Sequence, residues 1–327
     1  MTLRLGLVGT GTMGLEHLAA WRAAGVEPVG VAASRPESAG AFAAEHGLTP
    51  FASVDALLAA CDAVDLCVPT DLHAPLALRA AERGRDVVCE KPLALNTEQG
   101  RGMIAACRQH GVLLLVAQVL RFFPTYRRAF ELVRAGELGA LTRVELQRAS
   151  AVPPHSWYRD ATRSGGLALD LLVHDADFAC WLLGAPDEVR REPLVLPGEQ
   201  PDGERARLHM RWPSGATGLI DGAWNLPDAT TAFRLEGARG VLHGKGARLT
   251  FATHDRPDAP AAVEVERQAP FELQARHLAA ALRREATFAV TPEQALLAVD
   301  VCTRSEEPRP LVEAAGAAPA IPPSVDT

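Results

Sequence analysis

Lysine is almost absent from the sequence, and positive charge is nowhere concentrated. Of the 33 basic side chains only two, Lys91 and Lys245, are lysines, and 40 acidic side chains give a formal net charge of −7. Without a basic block, the chain lacks the electrostatic footprint that attracts nucleic acid or an anionic membrane. We therefore expect no nucleic-acid partner and no membrane partner.

Long apolar runs and closely paired cysteines are missing too. No run approaches the roughly 20 apolar residues that a membrane span needs, and the apolar start over 3–9 is too short for a signal peptide. The six cysteines show no CxxC spacing, which favours buried free thiols over a disulfide framework. These absences predict a cytoplasmic protein.

The sequence does contain enough apolar material for two cores, since 48% of its 327 residues are hydrophobic. Up to residue 120, short and continuously apolar runs alternate with helical patterns, which is typical of a doubly wound parallel sheet with helices on both faces. Later β-rich runs, split by glycine and proline, predict antiparallel pairing. The predicted fold is α/β, with a Rossmann domain over residues 1–120 and a second, α+β domain over residues 121–327.

The motif GTGTMG follows the first predicted strand and opens the first predicted helix. In its G-x-G-x-x-G spacing the first glycine permits a tight turn, the second lets the backbone approach a pyrophosphate, and the third lets helix and strand pack closely. The helix N-terminus then offers N–H donors to phosphates. The alternative is a strand–helix turn without a ligand. The predicted cofactor contacts on this turn are Gly9, Gly11, Thr12, Met13 and Gly14.

The second predicted strand ends at Ser34 and Arg35, where NAD-binding versions of this fold carry an acid for the ribose hydroxyl. Because a guanidinium binds phosphate through a planar fork, this pair favours the 2′-phosphate of NADP, with NAD as the second choice. In the alternative interpretation Arg35 is a solvated residue at a helix start, and both cofactors bind.

Lys91 lies at the carboxyl end of the predicted strand over 86–90, the edge at which open α/β sheets bind ligands. A lysine amine is a more compact donor than a guanidinium, and burial can lower its pKa. A site that needs such a donor could not accept the arginine that the chain uses elsewhere. Glu90 could hold the ammonium, and Pro92 fixes the following turn. The alternative is an ordinary surface lysine.

Four motifs, taken together, resemble one family. GTGTMG, CVPTDLH (67–73), CEKPLA (89–94) and SGGLALDLLVHDADFACWLLG (164–184) are similar in order and spacing to those of the Gfo/Idh/MocA oxidoreductases. The resemblance implies a Rossmann domain followed by a domain built on a large, mostly antiparallel sheet. The open face of that sheet commonly forms dimers or tetramers in the family, so a homodimer or homotetramer is expected.

The resemblance also implies roles for individual residues. Lys91 resembles the family lysine that hydrogen-bonds the reacting oxygen, and Glu90 precedes it. Pro69 and His73 resemble an element near the nicotinamide, in which this chain has Thr70 where asparagine is usual. The same resemblance implies a substrate-site pair and an arginine at the start of the second domain, which here are Asp170, His174 and Arg121.

The helix predicted over 167–183 supports the substrate-site pair, because Asp170 and His174 are four residues apart and share one helical face. Hydride transfer between a carbinol carbon and a nicotinamide needs a proton acceptor and an alkoxide stabiliser. We assign the first role to His174, oriented by Asp170, and the second to Lys91. The alternative is a set of ordinary polar residues on a helix surface. Since no third ligand has a convincing spacing, we predict no metal.

The predicted loop over 152–166 carries Trp157, Tyr158 and Arg163. Aromatic rings beside polar groups suit a sugar or polyol, although anchors that pack a long loop look the same in sequence. Two further functions stay open: redox-neutral, NAD-dependent glycoside hydrolysis, and a non-catalytic NAD(P)-binding sensor. A sensor would be expected to lose the lysine or the histidine, and this chain keeps both.

Overall fold

The structure, a computed structural model, describes residues 3–194, 205–224 and 229–304. Within these ranges the chain forms two compact units. The first consists of residues 3–119 and 269–296, and the second of the described residues in 120–268 and 297–304.

The sheet of the first unit has five strands, all parallel, in the order β2-β1-β3-β4-β5. This confirms the predicted parallel sheet. Because the chain steps from β1 to one neighbour and later returns to the other, the strand order reverses between β1 and β3, where such sheets bind ligands. The elements are β1 (Leu5–Val8), α1 (Thr12–Ala23), β2 (Gly30–Ala32), α2 (Pro36–His46), α3 (Val54–Ala60), β3 (Ala63–Leu66), α4 (His73–Glu82), β4 (Asp86–Glu90), α5 (Thr97–Gln109) and β5 (Leu114–Ala117).

The sheet of the second unit has eight strands in the order β13-β12-β11-β10-β6-β9-β8-β7. Among the described pairs, β6 and β9 run parallel and the others antiparallel, which confirms the large, mostly antiparallel sheet. The elements are α6 (Pro124–Arg134), β6 (Leu141–Ala149), α7 (Ala161–Ser164), α8 (Gly166–Asp170), α9 (Val173–Leu183), β7 (Glu188–Leu194), β8 (Arg205–Arg211), β9 (Thr217–Ala223), β10 (Thr230–Gly237), β11 (Gly240–Lys245), β12 (Arg248–Thr253) and β13 (Ala261–Ala262).

The prediction of a single helix over 167–183 is wrong, because the helix is interrupted between α8 and α9. The N–H of Leu172 reaches back to the carbonyl of Leu167 at 3.3 Å, five residues earlier instead of four. The Leu172 side chain is fully buried and packs so closely on β9 that a Cβ added to Gly222 would lie 2.1 Å from it. Seating Leu172 on the sheet therefore accounts for the break.

Two helices close the described chain, α10 (Pro270–Leu282) and α11 (Pro292–Thr303). The second domain was predicted to take in everything from residue 121, yet α10 belongs to the first unit. Its buried face, with Ala275 and Leu278, joins the core that contains Leu5, Trp21 and Leu115. Among the described residues, none of the helices combines the length and the apolar character that crossing a membrane requires.

Candidate active site

The turn between β1 and α1 needs glycine at two positions for the fold itself. Gly9 has φ +114°, and a Cβ there would lie 2.1 Å from the carbonyl oxygen of Cys67 at the end of β3. A Cβ on Gly14 would lie 2.4 Å from the carbonyl oxygen of Gly9. These contacts agree with the tight turn and the close packing expected from the motif.

Gly11 is different, because a Cβ there would meet nothing within 4 Å. The residue is exposed at the N-cap position just before α1, and having no side chain it makes no capping hydrogen bond to this helix end. The first N–H groups of a helix have no partner within the helix, and here they lie beside open space, as the binding of a pyrophosphate requires. The turn therefore fits a dinucleotide. Thr12 is exposed at the same point, whereas Met13 packs partly against the core around Leu7.

Ser34 and Arg35 follow β2, the strand next to β1, and both are exposed. Arg35 has an extended backbone, with φ −117° and ψ 123°, and the first helical position of α2 is Pro36. The first acid beyond the strand is Glu37, already inside the helix. An exposed cation without an adjoining acid is compatible with a 2′-phosphate.

Lys91 and Pro92 follow β4 directly and are joined by a cis peptide bond. The Lys91 side chain is half-buried. Its backbone N–H donates to Glu90 Oε2 at 3.1 Å, so the preceding carboxylate holds the turn through the main chain. Both residues lie at the carboxyl edge of the sheet, as the sequence pattern predicts.

His73 is buried, and each of its ring nitrogens faces a backbone carbonyl. Nδ1 lies 2.8 Å from the oxygen of Pro92, and Nε2 lies 3.0 Å from that of Val68. Burial lowers the pKa of His73, although the two carbonyl oxygens oppose the shift. The ring thus joins the turns after β3 and β4, which favours a supporting position over the cofactor contact predicted for it. Of its neighbours, Pro69 is half-buried and Thr70 is buried.

Glu90 also belongs to a buried ionic cluster with His17 and Asp65, which the sequence patterns did not predict. His17 Nδ1 is 2.8 Å from Asp65 Oδ2, and its Nε2 is 2.9 Å from Glu90 Oε1. Burial is the largest single influence and acts to lower the pKa of His17, but the charge and hydrogen bond of Asp65, together with the neighbouring Cys67, raise that pKa well above 6.5. The signal in the sequence was an aspartate in the middle of the apolar run VDLCV.

Cys67 lies near the same cluster, with its Sγ 3.6 Å from Asp65 Oδ1. His17, Asp65 and Cys67 form the group of possible metal ligands that the described residues contain. Burial raises the pKa of Cys67 to about 12, so in the absence of a bound cation its sulfur is a protonated thiol. The same side chains are joined by hydrogen bonds, and the expectation of no metal stays a prediction.

In the second unit, Asp170 ends α8 and is buried, while His174 lies half-buried in the first turn of α9. The neighbouring acids serve as ion-pair partners. Asp175 accepts from Arg148 Nε at 2.5 Å, and Asp177 accepts from Arg121 Nε at 2.8 Å.

The guanidinium of Arg121 is buried and also lies over the ring of Trp181, 5.1 Å from the ring centroid. This geometry favours a structural role for Arg121 over the substrate contact predicted for it.

The Ser164-Gly165-Gly166 turn fastens the predicted substrate loop to α8. Ser164 Oγ donates to the carbonyl of Tyr158 at 2.9 Å and accepts from the N–H of Gly166 at 3.0 Å. Trp157 and Tyr158 stack with their ring centroids 3.8 Å apart, and both are half-buried. Arg163 is half-buried in α7.

Comparison with protein families agrees with this geometry. Residues 3–118 match the model of an oxidoreductase family with an NAD-binding Rossmann fold, and residues 126–243 match the Gfo/Idh/MocA C-terminal domain. The chain belongs to the Gfo/Idh/MocA family. The glycine turn and the Lys91 turn both lie in the part that matches the family's Rossmann fold.

Named members of the Gfo/Idh/MocA family are similar over most of the chain. An inositol 2-dehydrogenase from Rhizobium meliloti is 32% identical, covering 78% of this chain and 80% of that protein. A D-xylose 1-dehydrogenase (NADP(+)) from Haloferax volcanii is 32% identical, covering 78% and 82%. The solved structure of a levoglucosan dehydrogenase has a TM-score of 0.81 at 21% identity, covering 92% and 98%, and shares the fold.

Proposed function

We propose that this family member transfers a hydride between a nicotinamide cofactor and a carbinol or carbonyl carbon of a sugar, polyol or related small molecule. The observation that carries the proposal is the pairing, in one unit, of an open Gly11 turn with a lysine at the carboxyl edge of the same sheet. Similarity to dehydrogenases named for inositol and xylose supports the substrate class.

Each proposed catalytic group has one task. The nicotinamide cofactor, when bound, supplies the acceptor or donor of the hydride. Lys91 donates a hydrogen bond to the reacting oxygen and stabilises negative charge as it develops there. His174 takes the hydroxyl proton during oxidation, and Asp170 orients the imidazole and stabilises its charged form.

The proposed cofactor contacts are the backbone of the Gly9–Gly14 turn for the pyrophosphate and Ser34 with Arg35 for the adenosine ribose. Exposure of Arg35, together with the absence of an acid before Glu37, supports NADP as the preferred form. For the substrate we propose stacking on the Trp157–Tyr158 pair and hydrogen bonds from Arg163. Flat aromatic faces beside polar groups suit the alternating C–H and O–H surface of a sugar.

We also propose a cytoplasmic homodimer or homotetramer that associates through the outer face of the eight-stranded sheet. The outward side chains of its strands form ion pairs such as Arg143–Glu145 at 2.6 Å and Arg207–Asp221 at 2.9 Å. Light scattering coupled to size-exclusion chromatography tests the assembly. A monomer at every concentration would contradict it.

The decisive experiment incubates the protein with NADP or NAD and a panel of sugars, polyols and dicarbonyl compounds, and follows reduced cofactor by absorbance. We expect substrate-dependent reduction with at least one polyhydroxylated compound. Cleavage of a glycoside without net change in reduced cofactor would support the redox-neutral alternative. Cofactor binding without any turnover across the panel would support the sensor.

A further inference from the structure

His17 lies between two carboxylates that come from neighbouring strands of the first unit. Asp65 on β3 faces one ring nitrogen at 2.8 Å, and Glu90 on β4 faces the other at 2.9 Å. The three side chains are 3%, 0% and 5% exposed. An ionised carboxylate only accepts hydrogen bonds, so both ring nitrogens must donate, and only the imidazolium does so. A neutral ring would require one carboxyl group to carry the proton instead.

The contacts continue on both sides of this triad. At Asp65, Trp21 Nε1 donates at 2.6 Å to Oδ2, the same oxygen that faces His17. On the other side, the second oxygen of Glu90 accepts the backbone N–H of Lys91 at 3.1 Å. One oxygen of Glu90 is thus held by His17, while the other holds the main chain of Lys91.

The groups that face the imidazole come from three packed elements. They are Asp65 from β3 with Cys67 just beyond it, Glu90 from β4, and from α10 the ring of Phe271, whose centroid is 6.4 Å away. The titratable side chains His73, Cys89 and Lys91 also lie close to Glu90.

Stability alone does not explain such a cluster. Withdrawing an imidazolium and two carboxylates from water carries a desolvation penalty that well-packed apolar side chains of similar volume would avoid. A fully satisfied polar network does, however, rigidify the groups that it joins. At one end of this network lies the backbone of Lys91, the residue that we propose to hydrogen-bond the reacting oxygen.

We propose that His17 is a positioning residue of the active site: as an imidazolium between Asp65 and Glu90, it locks Glu90 so that Glu90 fixes the backbone from which Lys91 projects. This inference rests on the proposed function for the role of Lys91. It concerns how that residue is held, and it assigns His17 no contact with substrate.

The kinetic test compares the wild type with His17→Gln, whose uncharged amide cannot donate to both carboxylates as the ring does. Since a displacement of about 1 Å can cost about 100-fold in rate, we expect kcat to fall by about that factor while the Kd for the cofactor stays nearly unchanged. The matched control is Leu278→Ala, at a buried apolar position of the first unit in the core that also contains Trp21. It should lower Tm and leave kcat unchanged. Unchanged kcat in His17→Gln would overturn the proposal.

Two further measurements do not depend on turnover. NMR of the imidazole nitrogens should show both nitrogens of His17 protonated at neutral pH. Hydrogen exchange at the Lys91 amide, relative to that at Val88 in the preceding strand β4, should become about tenfold faster in His17→Gln and stay unchanged in Leu278→Ala. If His17→Gln does not fold, Asp65→Asn serves in its place, because it removes one of the two carboxylates.

A neutral imidazole in the wild type, or unchanged exchange at Lys91, would overturn the proposal. A wild type that turns over none of the panel would instead refute the proposed function. In that case the protonation state and the exchange data still decide whether His17 positions Lys91.

Discussion

Arg121 Nε and Nη2 lie 2.8 and 2.6 Å from the two carboxylate oxygens of Asp177. The two side chains are 3% and 0% exposed. The guanidinium of Arg121 therefore binds the carboxylate of Asp177 in a bidentate arrangement, which is the strong form of an arginine–carboxylate ion pair. It places Arg121 within the framework of the second unit.

The first prediction concerns this pair. Replacing Arg121 with Met leaves the Asp177 charge buried and unpaired, so the free energy of unfolding should fall by about 3–5 kcal/mol. Denaturant titration measures the change. The double variant Arg121→Met, Asp177→Leu removes both charges and should recover much of the loss. A single variant as stable as the wild type would show that the pair is not needed for folding.

The second prediction concerns the two lysines of the chain. Lys91→Ala should lower kcat by about 100-fold or more, since it removes the donor to the developing alkoxide, and cofactor affinity should change little. Lys91→Arg should also fail, because a planar guanidinium does not fit where a compact amine does. Lys245→Ala, an exposed lysine on β11, is the matched control and should be fully active. Steady-state kinetics and cofactor titration together test this, and wild-type turnover in Lys91→Ala would remove the residue from the mechanism.

The sequence was sufficient where the structural signal is local. Continuously apolar runs predicted the parallel sheet, and the glycine spacing predicted the turn after β1. Scarcity of lysine favoured a functional role for Lys91, because elsewhere the chain almost always carries arginine as its basic residue, whereas here a lysine lies at a sheet edge.

Other features depend on contacts between distant parts of the chain. His17 is 48 residues from Asp65 and 73 from Glu90, and no periodicity links them. Arg121 meets Asp177 across 56 residues. The helix break at Leu172 depends on the packing of that side chain against β9. The local apolar pattern does not contain this contact and therefore predicts one continuous helix. Helix α3, with seven residues, is too short for its periodicity to stand out.

The third prediction concerns cofactor choice. Arg35→Ala should raise KM for NADP about tenfold or more, because a phosphate contact is lost, while KM for NAD stays within about twofold. Ser34→Asp should shift preference toward NAD by repelling the 2′-phosphate. Arg101→Ala, which removes an exposed arginine from α5, controls for the change in net charge. Equal effects of Arg35→Ala on both cofactors would argue that Arg35 is only a solvated residue at a helix start.

The fourth prediction follows from the raised pKa of His17. In the unfolded chain an ordinary histidine loses its proton near pH 6.5, whereas folded His17 keeps it to higher pH. Its stabilising contribution is therefore fully present below about pH 6.5 and is lost as pH rises through the folded pKa, by up to about 1.4 kcal/mol per pH unit. The difference in free energy of unfolding between the wild type and His17→Gln should accordingly shrink between neutral and alkaline pH. Denaturant titrations at a series of pH values measure it, with Leu278→Ala expected to differ from the wild type by a constant amount. A pH-independent difference for His17→Gln would mean that the folded wild type holds no proton that the variant lacks, which would contradict an imidazolium at this position.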